Sequence, residues 1–181
     1  MLMLDLFAGL KGASRAMAER GWEVVTLEID GSFKPTICQD ITGWSWNGPR
    51  PDLVWASPPC QEFSKASLPR SWACNRNHPP VPDVRLMLEA KRVIEECNPR
   101  YWVIENVRGA RPFFDPWLGQ PRKVVGSRYL WGEFPLFDTP KAYGKWRLPP
   151  SEDRAAKRSE IPKGISLALC MAIEQERSHR R

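Results

Sequence analysis

Apolar residues in this chain come in short runs, each closed by a glycine, a proline or an acid. LMLDLFA (2–8) stops at Gly9, and WEVVTLEID (22–30) ends in two acids. DLVWA (52–56) stops at Ser57-Pro58-Pro59, and YWVIENV (101–107) follows Asn98-Pro99. Runs of this length with this punctuation predict buried strands. Between them the period changes. GASRAMAER (12–20) puts Ala13, Ala16 and Met17 on one face and predicts a short helix with Gly21 as its stop. DVRLMLEAKRVIEEC (83–97) predicts the clearest helix, with Leu86, Leu88, Ala90, Val93, Ile94 and Cys97 on its inner side. A last helix is predicted over 162–177, with Pro162 near its first turn.

Continuous apolar strands separated by helices predict an α/β fold: a mostly parallel central sheet with helices on both faces. Such sheets bind ligands beyond the carboxyl ends of their strands. The residues just past each run are therefore the informative ones. They are Phe7-Ala8-Gly9, then Glu28 and Asp30, then Pro58-Pro59-Cys60-Gln61, then Glu105-Asn106-Val107.

Composition narrows the picture. The 181 residues suffice for one domain with a substantial core, and 42% of them are hydrophobic, so a folded chain is expected. No apolar run approaches the roughly 20 residues a membrane helix needs. The start, MLMLDLFAG, lacks a basic region and reaches an acid at Asp5, which predicts a strand rather than a signal peptide. Five cysteines (38, 60, 74, 97 and 170) form no CxxC pair. That pattern argues against a disulfide framework or a zinc site, so no metal is expected, and it predicts a reducing, cytoplasmic location. Net charge is +6, and residues 141–181 supply most of it with ten Lys/Arg against five Asp/Glu. A basic end on a balanced body fits a polyanionic partner or a solvated tail.

The series of strand-end residues resembles the cytosine-5 DNA methyltransferases, which use S-adenosylmethionine and have a Rossmann-like methyltransferase fold. DLFAGLKG (5–12) is similar to the family's first motif, Glu28 to its second and Asp40 to its third. Pro59-Cys60-Gln61 is similar to the catalytic motif, Glu105-Asn106-Val107 to the next acidic motif, and IPKGISLALCMAI (161–173) to the closing one. The motifs are collinear and together cover most of the chain. Two departures stand out. Lys11 occupies the place of the family's middle glycine, with Ala13 after Gly12. Only 28 residues (133–160) separate Gly132 from Ile161, where the family carries a large target-recognition domain. Residues 1–181 are accordingly expected to form a single catalytic domain, with a short basic recognition segment at 133–160 and a closing helix at 162–177.

The resemblance implies roles. Cys60 is the nucleophile that attacks carbon 6 of cytosine and makes carbon 5 able to accept a methyl group. The prolines before it rigidify its loop and forbid helix. Glu105 relieves charge at N3 of the ring, Gln61 belongs to the catalytic motif, and Asn106 braces the Cys60 loop. An arginine holds the base's O2. Arg128 is the first choice and Arg122 the second. Phe7, Gly9, Gly12, Glu28, Ile29, Asp40, Ile41, Pro58 and Ser166 are the expected cofactor contacts. Lys65, Arg70, Trp72 and Arg76 after the nucleophile, and Lys145, Trp146 and Arg147 in the basic segment, are the expected DNA contacts. The expected partner is double-stranded DNA with a flipped cytosine, and a homodimer would widen the DNA-binding face. Cytosine-5 methylation of transfer RNA, and a catalytically silent cofactor-binding paralogue, stay open as alternatives.

Overall fold

The protein is described here from a computed structural model, which describes residues 1–63, 82–139 and 160–179. Among these residues the chain forms β1 (Leu2–Leu6), α1 (Arg15–Glu19), β2 (Glu23–Glu28), β3 (Ile37–Cys38), β4 (Leu53–Ala56), α2 (Arg85–Cys97), β5 (Tyr101–Val107), α3 (Arg111–Leu118), β6 (Lys123–Val125), β7 (Arg128–Glu133) and α4 (Lys163–His179). The strands lie in one sheet, in the order β3-β2-β1-β4-β5-β7-β6. From β3 to β5 all pairings are parallel. β7 then runs antiparallel to β5, and β6 antiparallel to β7. This is the mostly parallel α/β sheet expected from the apolar runs.

Alternate residues of the central strands serve the two faces, as the two-residue period of a strand requires. Met3, Leu53, Trp55 and Val103 pack on one side with Ala16 and Met17 of α1 and Ile165, Leu169 and Ile173 of α4. Leu4, Leu6, Val54, Ala56 and Ile104 pack on the other with α2 and with Phe114 of α3. Helices therefore cover both faces. Ala13, Ala16 and Met17 are buried together, as their spacing predicted.

The buried face of α2 needs a correction. Met87, Ala90, Val93, Ile94 and Cys97 are buried, while Leu86 and Leu88 are only half-buried. Met87, Ala90, Ile94 and Cys97 repeat at helical spacing, and that stripe leaves Leu86 and Leu88 on its flanks. Leu86 borders the cleft described below. Three elements escaped the hydrophobic pattern. α3 carries Pro116 in its interior, which removes a helix hydrogen bond and hides the periodicity. β3 is two residues long. β6 is the three-residue edge strand of a hairpin with β7, turned at Gly126-Ser127, with Val125 opposite Arg128.

β1 sits where the order reverses, because β2 lies on one side of it and β4 on the other. A crevice opens at such a switch point beyond the carboxyl ends of the strands. The candidate site is there.

Candidate active site

A cleft of about 680 Å³ lies beyond the carboxyl ends of β1, β2, β4 and β5 and is closed on one side by Glu160 and Ile161. Its walls are the segments that follow the apolar runs.

The loop after β1 forms the first wall. Phe7, Gly9 and Lys11 all adopt positive φ (60°, 44° and 59°). A Cβ at Gly9 would meet nothing within 4 Å, so the backbone there opens to the cleft. Gly12 is the opposite case: its Cβ would lie 2.4 Å from the Ile161 carbonyl oxygen, and only glycine allows that approach. Lys11 takes a left-handed conformation that costs a non-glycine residue about 1–3 kcal/mol. Its amide donates to the Ala8 carbonyl at 2.7 Å, and its Nζ donates to the Lys34 carbonyl at 2.6 Å.

The end of β2 forms the second wall. Glu28 Oε2 accepts from the Gly9 amide at 3.0 Å, and Oε1 accepts from the amides of Ile29 (2.9 Å) and Asp30 (3.2 Å). The carboxylate is thus held in place by backbone on both sides. Further along, Asp40 is exposed, and its Oδ1 accepts from the Thr42 amide at 2.9 Å. That bond holds its carboxyl below the usual range. Ile41 is buried, whereas Ile29 is 66% exposed at the rim. Phe7, Gly9, Gly12, Glu28, Ile29, Asp40, Ile41 and Pro58 all line the cleft.

Ser166 does not. It is fully buried in α4, and its hydroxyl donates to the Lys163 carbonyl of its own helix at 3.0 Å. The packing of α4 against the sheet turns it away from the cleft walls.

Asp5 lines the floor, and the sequence reading passed over it. It is buried and accepts a hydrogen bond from the Ser14 hydroxyl at 2.5 Å. Burial, helped by the Glu28 charge, pushes its carboxyl up to about 7 against the opposing effect of Ser14 and Lys11. The signal was an acid in the middle of the LMLDLF run. Its folded pKa lies above the unfolded 3.8, so stability is lost as pH rises from about 4 through about 7. The Asp5→Asn variant should remove that part. Its stability relative to wild type should improve by about 2–4 kcal/mol between pH 4 and pH 8 in urea titrations. A constant difference across that range would place the buried charge elsewhere.

The third and fourth walls meet at Cys60. Pro58 is buried and Cys60 half-buried beyond β4, and Gln61 opens a single turn, Gln61–Phe63, exposed at Gln61 and Glu62 and buried at Phe63. Asn106 at the end of β5 donates from Nδ2 to the Pro58 carbonyl at 3.0 Å, while its Oδ1 accepts from the Val107 amide at 2.9 Å. This ties the Cys60 loop to the neighbouring strand. Glu105, 6% exposed, accepts from Arg128 Nη1 at 3.1 Å. Arg128 Nη2 also donates to the Glu160 carbonyl at 2.7 Å. The side chain of Ser57 hydrogen-bonds Glu105, and Ser57 itself accepts from Trp55 Nε1 at 2.8 Å.

Burial pushes the Glu105 carboxyl up, with Arg128 and Ser57 pulling the other way. Burial, and then the Glu105 charge, push the Cys60 thiol up. Cys60 therefore rests as a thiol, and a protonated Glu105 would make it a better acid. Cys60, Gln61, Glu105 and Arg128 share the cleft. Arg122 does not border it. Its Nε donates to the Phe134 carbonyl at 2.7 Å, and its guanidinium lies 5.7 Å from the Phe134 ring centre. Of the two arginines, Arg128 is the one that reaches the carboxyl.

Lys65, Arg70, Trp72, Arg76, Lys145, Trp146 and Arg147 lie outside the described residues, as does most of the 133–160 segment. Among the described residues no group of His, Cys, Asp and Glu could hold a metal ion, and no helix is long and apolar enough to cross a membrane.

The model of a family described as C-5 cytosine-specific DNA methylase matches residues 1–113, which include Cys60 and Glu105. The inferred DNA (cytosine-5)-methyltransferase of frog virus 3 (isolate Goorha) is 31% identical over 117 residues, covering 59% of this chain and 53% of that protein. The type II methyltransferase M.HgiCI of Herpetosiphon aurantiacus is 30% identical over 120 residues, covering 59% of this chain and 27% of its own length. A candidate DNA modification methyltransferase encoded within an E. coli prophage has a similar fold, with a TM-score of 0.51 at 21% identity over 74% of this chain and 46% of that one. The chain thus spans about half or less of the length of these relatives.

Proposed function

The chain belongs to the C-5 cytosine-specific DNA methylase family, and from this we propose that it transfers a methyl group from S-adenosylmethionine to carbon 5 of cytosine in DNA. The observation that carries the proposal is the meeting of Cys60 and Glu105 in one cleft. They come from the ends of adjacent parallel strands, and Arg128 is bonded to the carboxyl.

The cleft residues suit the cofactor. Gly9 leaves room for a ligand against its backbone, Glu28 presents a fixed carboxylate for the ribose hydroxyls, and Asp40 with Ile41 offers an acceptor beside an apolar surface for adenine. When bound there, the cofactor supplies the methyl group on a sulfonium. Glu28→Ala and Asp40→Ala should each weaken S-adenosylmethionine binding by about 1–3 kcal/mol, the scale of lost hydrogen bonds to charged groups. Calorimetry with unchanged affinity in both variants would remove them from the site.

The protein's own part is a sequence of positions and protons. The thiolate of Cys60 bonds carbon 6 of a cytosine turned out of its stack. Glu105 gives a proton to N3, so the electrons that reach the ring collect at carbon 5 rather than as bare charge on the ring. Arg128 steadies the base's O2 and, through Glu105, the carboxyl. After carbon 5 is methylated, it loses its proton to water, Cys60 leaves carbon 6 with its electron pair as the ring double bond re-forms, and N3 returns its proton to Glu105. DNA is held mainly through phosphates by Lys65, Arg70, Arg76, Lys145 and Arg147, with Trp72 and Trp146 as stacking surfaces. The short segment between Gly132 and Ile161 reads a site of about two to four base pairs.

The test uses S-adenosylmethionine labelled in its methyl group, offered with duplex DNA and with transfer RNA, followed by mapping of the modified base. Label in 5-methylcytosine of DNA is the expected result. Label confined to RNA would change the substrate, and no label in either would leave a cofactor-binding protein without transfer.

A further inference from the structure

We propose that Lys11 is a positioning residue for the cofactor: its ammonium bridges the loop after β1 to the loop after β2 and fixes the distance between the two walls of the cleft. This rests on the functional reading above. The first wall contributes Gly9, Leu10 and Gly12 to the cleft, and the second contributes Ile29 and Phe33. Two ties join them. The inner tie is the Gly9 amide on Glu28 Oε2 at 3.0 Å. The outer tie is Lys11 Nζ on the Lys34 carbonyl at 2.6 Å, spanning 23 positions of sequence.

Both lysines of the outer tie are held in left-handed backbone, with φ of 59° at Lys11 and 51° at Lys34. Lys34 closes the single turn Gly31–Phe33, and Asp30 accepts from Ser32 at the start of that turn. Lys11 itself is partly exposed and does not line the cleft, so packing gives little return for its strain. Unfavourable backbone kept at two facing positions beside a binding cleft points to function rather than to packing. Glu28 has a second task in the proposed reaction, whereas Lys11 has none. Besides its charge, which favours ionised Asp5 on the cleft floor, the outer tie acts through the walls, by holding them at binding distance before the ligand arrives. Pre-organisation of this kind lowers the ordering cost of binding.

Three variants of the full chain test the bridge by calorimetric titration with S-adenosylmethionine, alongside thermal melting without ligand. Lys11→Met keeps the aliphatic stem and loses the donor. Lys11→Gly loses the donor and relieves the backbone. Lys11→Arg keeps a charged donor. The Met and Gly variants should bind about three- to tenfold more weakly, the scale of one partly exposed charge-assisted hydrogen bond. The Gly variant should melt at or above wild type, and the Arg variant should bind within about twofold of it. Met and Gly variants that bind like wild type, or an Arg variant as weak as the Met one, would overturn the proposal. So would affinity that follows melting temperature in every variant, since Lys11 would then serve folding alone. A wild-type chain that binds no S-adenosylmethionine would overturn the functional reading itself, and the bridge's role with it.

Discussion

Cys60→Ser is expected to lose methyl transfer by several orders of magnitude while binding S-adenosylmethionine about as well as wild type. The thiol is pushed up by burial and by Glu105, so little thiolate is present at neutral pH. A hydroxyl in the same place is a far weaker acid still, and also a weaker nucleophile. Losing the nucleophile of a catalytic unit removes most of what the unit achieves, because its other members have nothing left to assist. The side chain is half-buried and belongs to the core on neither face of the sheet, so folding should survive. DNA carrying 5-fluorocytosine adds a second readout. Carbon 5 then has no proton to lose, and Cys60 cannot leave carbon 6. Wild type should be trapped as a complex that survives denaturation, and the serine variant should not. Near wild-type methylation by the serine variant would assign the nucleophile elsewhere.

Glu105→Gln should lower the rate by about 10²–10⁴ at neutral pH, the contribution of a positioned acid, and should also change the shape of the pH profile. Transfer needs Glu105 protonated and Cys60 ionised. Both groups are raised from their ordinary values, Glu105 by burial and Cys60 by burial and then by the Glu105 charge. The two requirements oppose each other in pH. At the acid end the rate rises with pH as thiolate increases, and at the alkaline end it falls as the acid is lost. The two limbs belong to the coupled pair rather than to either residue alone. With glutamine at 105 the acid requirement vanishes, and the residual rate should climb until the thiol is ionised. A falling alkaline limb kept in the glutamine variant would mean that another group supplies the proton.

The order of β1, α1, β2, β4, α2, β5 and α4 could be read from hydrophobic runs and their punctuation, because these elements bury one or both faces and the sheet's period leaves its mark. Glu105, Cys60 and Glu28 could be placed together in advance, since parallel strands bring their carboxyl ends to one edge. The late strand at Tyr129-Leu130-Trp131 was implied by the resemblance, but β6, its hairpin partner, was not seen. Lys123-Val124-Val125 is half exposed at the sheet's edge and lacks a buried run, although its Gly-Ser turn was a usable signal. α3 was hidden by Pro116. Asp5 was missed because an acid inside an apolar run was taken as part of the strand alone. Ser166 faces the core rather than the cleft, because motif position says nothing about which way a helix faces. Which of Arg128 and Arg122 meets Glu105 needed coordinates, since both precede or lie on the same hairpin, and only register decides which of them points back to β5.

Gly12 against Ile161 has a consequence for how the molecule assembles. The same seam holds Arg15 to Glu160, Glu19 to Lys163, and Arg20 and Trp22 to Glu174, partners separated by as many as 154 positions. Contacts of such long separation form slowly, because loop-closure entropy is spent before they form. The nucleophile's strand can pair with β1 and β5 early, but the cleft gains its last wall only when the final helix docks against the first. The chain should therefore pass through a state in which the sheet is formed and Cys60 stands beside an open groove. Competence to bind cofactor would then arrive in one late step, and refolding followed by cofactor binding should lag behind refolding followed by burial of Trp131, which packs on the opposite face of the sheet.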